Sequence, residues 1–287
     1  MTALLLDGRK AATYLKEGVK LAVAERISKG HKAPGLAVIL VGDDPASNIY
    51  VANKRKACLE VGFNSHAYDL PENTSEKELL ELISQLNHAE DIDGILVQLP
   101  LPDVIDPNKV IECINPTKDV DGFHPYNIGR LVQRNPLLRP CTPYGIIHLL
   151  SYYQIPLVGV NTLVIGASNI VGRPMAMEFL LAASTVSVCH RFTTDLEKYV
   201  QIADIIVIAT GIQDVIDVNW LNEKQIIIDV GMHRLPNGQL RGDIDFERAK
   251  EIVSWITPVP GGVGPMTIAT LLQNTLLAAN YRLQNKN

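Results

Sequence analysis

Tyr50 and Lys54 stand four residues apart in a segment that opens with Asp44-Pro45 and Ser47, residue types that start helices. The spacing puts both side chains on one helical face, so a phenol ring and an amine can reach the same ligand. The same pair also reads as a tyrosine packed on a lysine stem at the surface. Gln98 ends the apolar strand predicted over Ile95–Leu99, just before Pro100. Open α/β sheets place ligand-contacting groups at such strand ends, though a lone glutamine can equally satisfy a loop carbonyl. Asp119 and Asp121 lie in the loop Pro116-Thr117-Lys118-Asp119-Val120-Asp121-Gly122-Phe123. They read either as ligand-contacting carboxylates or as Asx turns. No neighbouring His, Asp or Glu cluster completes a metal ligand set, so no metal is expected.

A second chemistry-bearing stretch is Gly166-Ala167-Ser168-Asn169-Ile170-Val171-Gly172-Arg173-Pro174, which follows a predicted strand and precedes a predicted helix. A dinucleotide pyrophosphate meets helix amides at such a turn, and glycines let the backbone approach it. Ser168 occupies the second glycine of the G-x-G-x-x-G pattern, so a plain strand-to-helix turn is the competing reading. About 20 residues further on, where NAD enzymes carry an acid, the chain has His190-Arg191-Phe192-Thr193. A guanidinium binds a 2′-phosphate through paired, charge-assisted hydrogen bonds, whereas a carboxylate would repel it. Unless Arg191 is simply a solvated strand-end arginine, NADP is favoured over NAD.

Positioning these groups falls to alternating strands and helices, the pattern of parallel sheets covered on both faces. Strands are predicted over Leu36–Val41, Ile95–Leu99, Leu163–Ile165, Val186–Cys189, Ile205–Ala209 and Ile226–Val230. Ser75 with Glu78 forms a capping-box signature for a helix to about Leu86, and Thr194 with Glu197 forms another. Asn115–Pro140, rich in Pro, Gly, Asp and Asn, reads as loop and domain junction. Thr142 as N-cap and Pro143 at the first helical position open a bridging helix. A last amphipathic helix runs from Pro265 to about Leu283. At 287 residues the chain has room for two domains of roughly 150 residues each. The expected division is 1–139 and 140–264, with the helix 265–287 packing back on the first.

The net charge of −5 and the lack of extended Lys/Arg clusters argue against a nucleic-acid footprint. With 47% apolar and 20% charged residues the chain is an ordinary globular one. Cys58, Cys113, Cys141 and Cys189 show no paired spacing and read as free thiols. The apolar triplet Leu4–Leu6 is too short for a signal-peptide core, and no stretch approaches the ~20 apolar residues of a membrane span. A cytoplasmic location without membrane attachment is the expectation.

Tyr50-Val51-Ala52-Asn53-Lys54-Arg55-Lys56-Ala57-Cys58 closely resembles the Y-V-x-x-K signature of the methylenetetrahydrofolate dehydrogenase/cyclohydrolase family. Further blocks match in the same order: Gly94 to Pro102, Pro116 to Pro125, Pro140 to Gly145, Gly166 to Pro174 and Pro258 to Thr267. The resemblance implies an α/β protein with an N-terminal folate-binding catalytic domain, a Rossmann-type NADP-binding domain and a cleft between them. It implies that Tyr50 stacks on the folate, Lys54 is the key catalytic group, Gln98 orients it and Asp121 holds the pterin. Gly166, Ser168, Arg173 and Arg191 would surround NADP, with Thr142 and Met232 also cofactor-binding. Thr142 and the turn Pro260-Gly261-Gly262-Val263-Gly264-Pro265 would line the cleft, Pro260, Gly261 and Gly262 on the substrate. The chain departs from the family in Asp229-Val230-Gly231-Met232-His233, where D-V-G-I-N is frequent, and in His190-Arg191-Phe192-Thr193, where H-S-K-T is frequent.

The implied reactions belong to one-carbon metabolism and purine biosynthesis. They are oxidation of 5,10-methylenetetrahydrofolate with NADP and hydrolysis of the methenyl product to 10-formyltetrahydrofolate, with or without a polyglutamate tail. A homodimer is implied as well. Hydride loss leaves an amidinium cation that water must attack. That cation disfavours a charged lysine beside it, and a neutral Lys54 held by Gln98 can act on the water. The competing readings are a dehydrogenase without hydrolysis, a shikimate-dehydrogenase-like oxidoreductase, and a folate- or nucleotide-binding regulator without turnover.

Overall fold

The computed structural model describes residues 2–285. In chain order the elements are β1 (Leu4–Leu5), α1 (Gly8–Ser28), β2 (Gly35–Val41), α2 (Pro45–Glu60), β3 (Asn64–Leu70), α3 (Glu76–His88), β4 (Gly94–Val97), α4 (Pro107–Cys113) and α5 (Pro125–Val132). There follow α6 (Cys141–Tyr152), β5 (Asn161–Ile165), α7 (Gly172–Leu181), β6 (Thr185–Cys189), α8 (Leu196–Ile202), β7 (Ile205–Ile208), a 3₁₀ turn (Val218–Trp220) and β8 (Ile226–Asp229). The chain ends with β9 (His233–Arg234), β10 (Leu240–Arg241), α9 (Phe246–Ala249), β11 (Trp255–Ile256) and α10 (Val263–Gln284). Two compact units result. One combines the chain up to Thr13 with Thr142–Thr267, and the other combines Tyr14–Cys141 with the chain from Ile268 onward.

The Tyr14–Cys141 unit is built on the parallel sheet β3-β2-β4. Every residue of β2 is buried, as expected of a central parallel strand covered on both faces. Its alternate residues feed two cores. Leu36, Val38 and Leu40 pack with Val51, Cys58 and Val61 and with Leu271, Leu272 and Leu276 of α10. Ala37, Ile39 and Val41 face Leu79, Ile83 and Leu86 of α3 and Val110 of α4. Full burial of each such aliphatic side chain stabilises the fold by about 1.5–3 kcal/mol.

The Ser75/Glu78 capping box forms as expected. At the other end of α3, buried Lys118 donates from Nζ to the carbonyls of Leu86 and Ala89, both at 2.8 Å, closing the helix with a cation. The main chain around Lys118 runs beside β4, because Ile95 N–H donates to the Lys118 carbonyl at 2.8 Å and Ile95 bridges Asp119 in parallel. Gly94 permits this approach, since a Cβ there would lie 2.5 Å from Val120 Cγ1.

Three local expectations are corrected. Residues 115–140 are not all loop: they contain α5, whose Asn127 and Leu131 are buried, with Pro125 in the first turn and His124 Nδ1 accepting from Tyr126 N–H at 3.0 Å. α6 starts at Cys141, so Thr142 is inside the helix rather than capping it, and Pro143 still falls where no helical N–H is needed. The Thr194/Glu197 box does not form. Asp195 takes a left-handed conformation (φ 53°) before α8, with no side-chain cap, and Glu197 instead accepts from Gln201 Nε2 at 2.9 Å.

The Thr142–Thr267 unit carries the sheet β6-β5-β7-β8-β11-β1, parallel throughout. Its apolar strands β5, β7 and β8 form one core with Val200, Val218 and Val253. The edge strand β1 is the chain's own start, Leu4 and Leu5 pairing with Trp255 and Ile256. From β5 the chain steps to β6 on one side, and β7 then joins β5 on the other. This reversal makes the end of β5 a topological switch point, the place where open α/β sheets bind ligands.

Candidate active site

Helix α2 is fastened at both its start and its middle. Asp44 is its N-cap, accepting from Ser47 N–H at 2.7 Å, with Pro45 at the first position. Arg55 grips Asp69 of β3 through both terminal nitrogens, at 3.0 and 2.6 Å. Ser47, Val51, Lys54, Cys58 and Val61, at 4, 2, 8, 0 and 2% exposed, form one buried stripe. Lys54 thus interrupts a core-facing row with an amine, a placement that costs free energy unless the amine is hydrogen-bonded.

The partner is Gln98. Lys54 Nζ donates to Gln98 Oε1 at 3.0 Å. Gln98 is held in turn by its backbone N–H on the Ile39 carbonyl at 2.9 Å and by its own amide Nε2 on the Leu99 carbonyl at 2.5 Å. The Leu99-Pro100 peptide is cis. Tyr50, half-buried one turn before Lys54, has its hydroxyl pushed above the ordinary tyrosine range by burial.

Asp119 and Asp121 part company. Asp119 is a buried anchor: its carboxylate accepts from His124 N–H at 2.8 Å and Asn127 Nδ2 at 2.9 Å. Asp121 is partly exposed and its carboxyl is pushed up to about 6, chiefly by burial. The charge of Lys54 opposes that rise and the charge of Asp119 adds to it. Lys54 and Asp121 therefore sense each other. An amine held by a neutral amide, a carboxyl poised near neutrality and a tyrosine ring make a site suited to polar recognition and proton transfer.

Sequence reasoning missed what secures the loop carrying Asp121. Buried Asn274 of α10 donates from Nδ2 to the carbonyls of Val120 and Arg139, each at 2.8 Å. Cys141 Sγ donates to Val120 O at 3.2 Å while its N–H donates to Asp121 O at 3.2 Å. Gly122, at φ 77°, lies so near Pro140 N that a Cβ would be 2.5 Å away. The available signal was a buried-type position in an apolar helix, Leu271 to Leu276, filled by asparagine.

In the Thr142–Thr267 unit the glycine turn sits at the switch point. Gly166 has φ 117° and its absent Cβ would lie 2.2 Å from the Ala209 carbonyl, while a Cβ on Gly172 would lie 2.0 Å from the Gly166 carbonyl. Ser168 Oγ accepts from Val171 and Gly172 N–H at 3.2 and 3.3 Å, shaping the turn. Arg173 Nε donates to the Ala167 carbonyl at 3.1 Å, its side chain exposed. Exposed Arg191, at the end of the neighbouring strand β6, stacks its guanidinium over Phe192 at 4.6 Å from the ring centroid.

The remaining expected site residues belong to this unit too. Thr142 Oγ1 shares a hydrogen bond with Thr267 Oγ1 at 3.0 Å. Met232 is 43% exposed just before β9. The turn at cis Pro260 has Gly261 at φ 114°, and a Cβ on Gly262 would meet Thr257 Cβ at 2.7 Å. Among the described residues no group of three or more His, Cys, Asp or Glu could hold a metal ion.

The family model described as tetrahydrofolate dehydrogenase/cyclohydrolase, catalytic domain, matches residues 6–121, and that described as the NAD(P)-binding domain matches residues 140–283. The bifunctional protein FolD of Legionella pneumophila (strain Philadelphia 1) is 60% identical over 279 residues, 97% of this chain and 98% of that one. The bifunctional FolD methylenetetrahydrofolate dehydrogenase/cyclohydrolase of Campylobacter jejuni superposes with a TM-score of 0.95 at 50% identity, over 98% of this chain and 99% of that one. The Trypanosoma brucei methylenetetrahydrofolate dehydrogenase-cyclohydrolase, solved with NADP and an inhibitor, superposes with a TM-score of 0.94 at 34% identity, over 99% of each chain.

Proposed function

The chain belongs to the tetrahydrofolate dehydrogenase/cyclohydrolase family, and we propose from this that its two units divide the chemistry, folate to Tyr14–Cys141 and NADP to Thr142–Thr267. It is a bifunctional enzyme that oxidises 5,10-methylenetetrahydrofolate to the methenyl compound with NADP and hydrolyses the latter to 10-formyltetrahydrofolate. The observation that carries the residue assignment is the buried Lys54 amine on Gln98 Oε1.

In this reading the Tyr50 ring stacks on the folate and Asp121 accepts hydrogen bonds from the pterin. Gln98 Oε1 occupies one N–H of Lys54, which aims the rest of the amine at the bridge carbon. Loss of hydride turns the methylene bridge into a cation. Water adds there and Lys54 takes one of its protons. The carbon–nitrogen bond on the ring side then breaks as that proton passes to the ring nitrogen, and the remaining hydroxyl proton leaves to solvent as the formyl C=O forms. Positioned proton transfer of this kind is typically worth 10²–10⁴-fold.

The glycine turn suits a dinucleotide. Gly166 brings its backbone against Ala209 just past β7, Gly172 packs on Gly166 itself, Arg173 is exposed on the turn, and the segment His190-Arg191-Phe192-Thr193 with its exposed arginine contains no acid. Bound NADP supplies the hydride acceptor. Arg191 holds the 2′-phosphate, and Thr142, Met232, Pro260, Gly261 and Gly262 complete the ligand-binding residues of this unit.

A homodimer through the nucleotide unit is part of the proposal, supported by the free edge of β6 and its 40% exposed Val188. A cytoplasmic location is also part of it, supported by four free cysteines. Among the described residues no helix is long and apolar enough to cross a membrane. The test is a paired assay of purified protein, NADPH formation from methylenetetrahydrofolate and decay of methenyl absorbance above the spontaneous rate. Absence of both would overturn the reading.

A further inference from the structure

Asp243 is completely buried, and among the described residues the basic side chain within hydrogen-bonding distance of it is His233. Its two oxygens have separate tasks. Oδ2 accepts from Thr210 N–H at 2.9 Å, Thr210 Oγ1 at 2.8 Å and Gly211 N–H at 2.9 Å. Oδ1 lies 2.7 Å from His233 Nε2, which against a carboxylate carries the proton. Gly231 makes room, since a Cβ there would lie 1.9 Å from Asp243 Oδ1.

What Oδ2 holds is the segment leaving β7, and that segment is a wall of the glycine turn: the Gly166 Cβ position is 2.2 Å from Ala209 O and 3.5 Å from Thr210 N. Asp243 is itself held from behind, its N–H donating to Asp229 Oδ1 at 3.0 Å. The chain of contacts therefore runs from His233 through Asp243 to Thr210 and Gly211, and ends at Gly166.

We propose that His233 is a positioning residue for the dinucleotide, acting through Asp243 on the Thr210–Gly211 segment that backs the Gly166 turn. A carboxylate engaged at both oxygens by donors from two segments has a fixed plane. Without His233, Oδ1 becomes a buried acceptor lacking its partner, and the plane is free to rotate toward other donors at the expense of Thr210 and Gly211. The His233 side chain is only 19% exposed, so the test needs phenylalanine and glutamine, which keep most of its bulk, beside alanine. This inference rests on the NADP reading of the glycine turn.

The test uses the full chain and NADP titrated calorimetrically into wild type, His233→Phe, His233→Ala and His233→Gln, with dehydrogenase kinetics alongside. Phenylalanine fills the site without a donor, while glutamine offers an N–H at the reach of Nε2. Loss of the donor is expected to raise the NADP Kd and KM about tenfold, the scale of one net hydrogen bond to a charged group. kcat at saturating NADP should change less than about threefold, and glutamine should bind within about threefold of wild type. Should phenylalanine prevent folding, alanine gives the same comparison. Wild-type affinity in both donor-free variants overturns the inference, as does a glutamine variant as weak as they are, or a kcat loss equal to the KM rise. A wild-type protein that binds no NADP overturns the cofactor reading and this inference with it.

Discussion

The amide of Gln98 faces Lys54 with its oxygen and not its nitrogen: Oε1 accepts from Lys54 Nζ at 3.0 Å, while Nε2 donates to Leu99 O at 2.5 Å. The Leu99 carbonyl accepts only, so the two ends of the amide cannot be exchanged without losing both hydrogen bonds. Lys54 is thereby held by a neutral acceptor.

Gln98→Glu tests why that neutrality matters. A carboxylate at this position pairs with the ammonium form of Lys54 and so opposes proton uptake from water. Cyclohydrolase activity should fall about 10²-fold at neutral pH, with melting temperature little changed. Methenyl hydrolysis at the wild-type rate in this variant would remove the amine's proton acceptance from the mechanism.

The elements that present the site were largely legible because they follow simple periodicities. The apolar runs around Val38, Leu96, Val164 and Val207 are strands, and Ser75 with Glu78 does start α3. Lys54 could be singled out by spacing from Tyr50, and the structure adds that it breaks a buried stripe. Other features depend on contacts far away in sequence. Asn274 secures the Asp121 loop from 154 residues away, a relation no local pattern carries. α5 hides in a Pro- and Asn-rich segment because it is short and caps itself with His124. The Thr194/Glu197 signature fails because Asp195 adopts a left-handed conformation, which the box motif does not encode.

Arg191→Ala addresses cofactor choice. The exposed guanidinium is the group assigned to the 2′-phosphate, and a hydrogen-bonded charge of that kind is worth roughly 1.5–3 kcal/mol, or about 10- to 100-fold. The NADP KM should rise by that factor while the NAD KM stays within about threefold. An equal rise for both cofactors would place Arg191 elsewhere than at the 2′-phosphate.

Asp121 should impose a pH dependence of opposite sign on activity and on stability. Burial pushes its carboxyl up to about 6, and Asp229 is likewise pushed up to about 6. For an acid whose folded-state pKa is raised, the stabilising contribution is fully present below the unfolded value of about 4 and is lost as pH rises through the folded value. The ionised form, which pterin recognition uses, is therefore the less stable one. kcat/KM for folate should drop as pH falls through about 6. Asp121→Asn should lower both activities, remove that limb, and lessen the loss of melting temperature between about pH 4 and 6. An unchanged acid limb in the variant would contradict the assignment, and a chelator should leave wild type unaffected.

The most direct measurement concerns Lys54→Met, which keeps the buried stem and removes the amine from Gln98 Oε1. On one purified preparation, methenyl decay corrected for spontaneous hydrolysis should slow by about 10²–10⁴-fold. Folate should still bind, and NADPH formation should fall by less than hydrolysis does. Hydrolysis at the wild-type rate by this variant would contradict the account and take the second reaction away from Lys54.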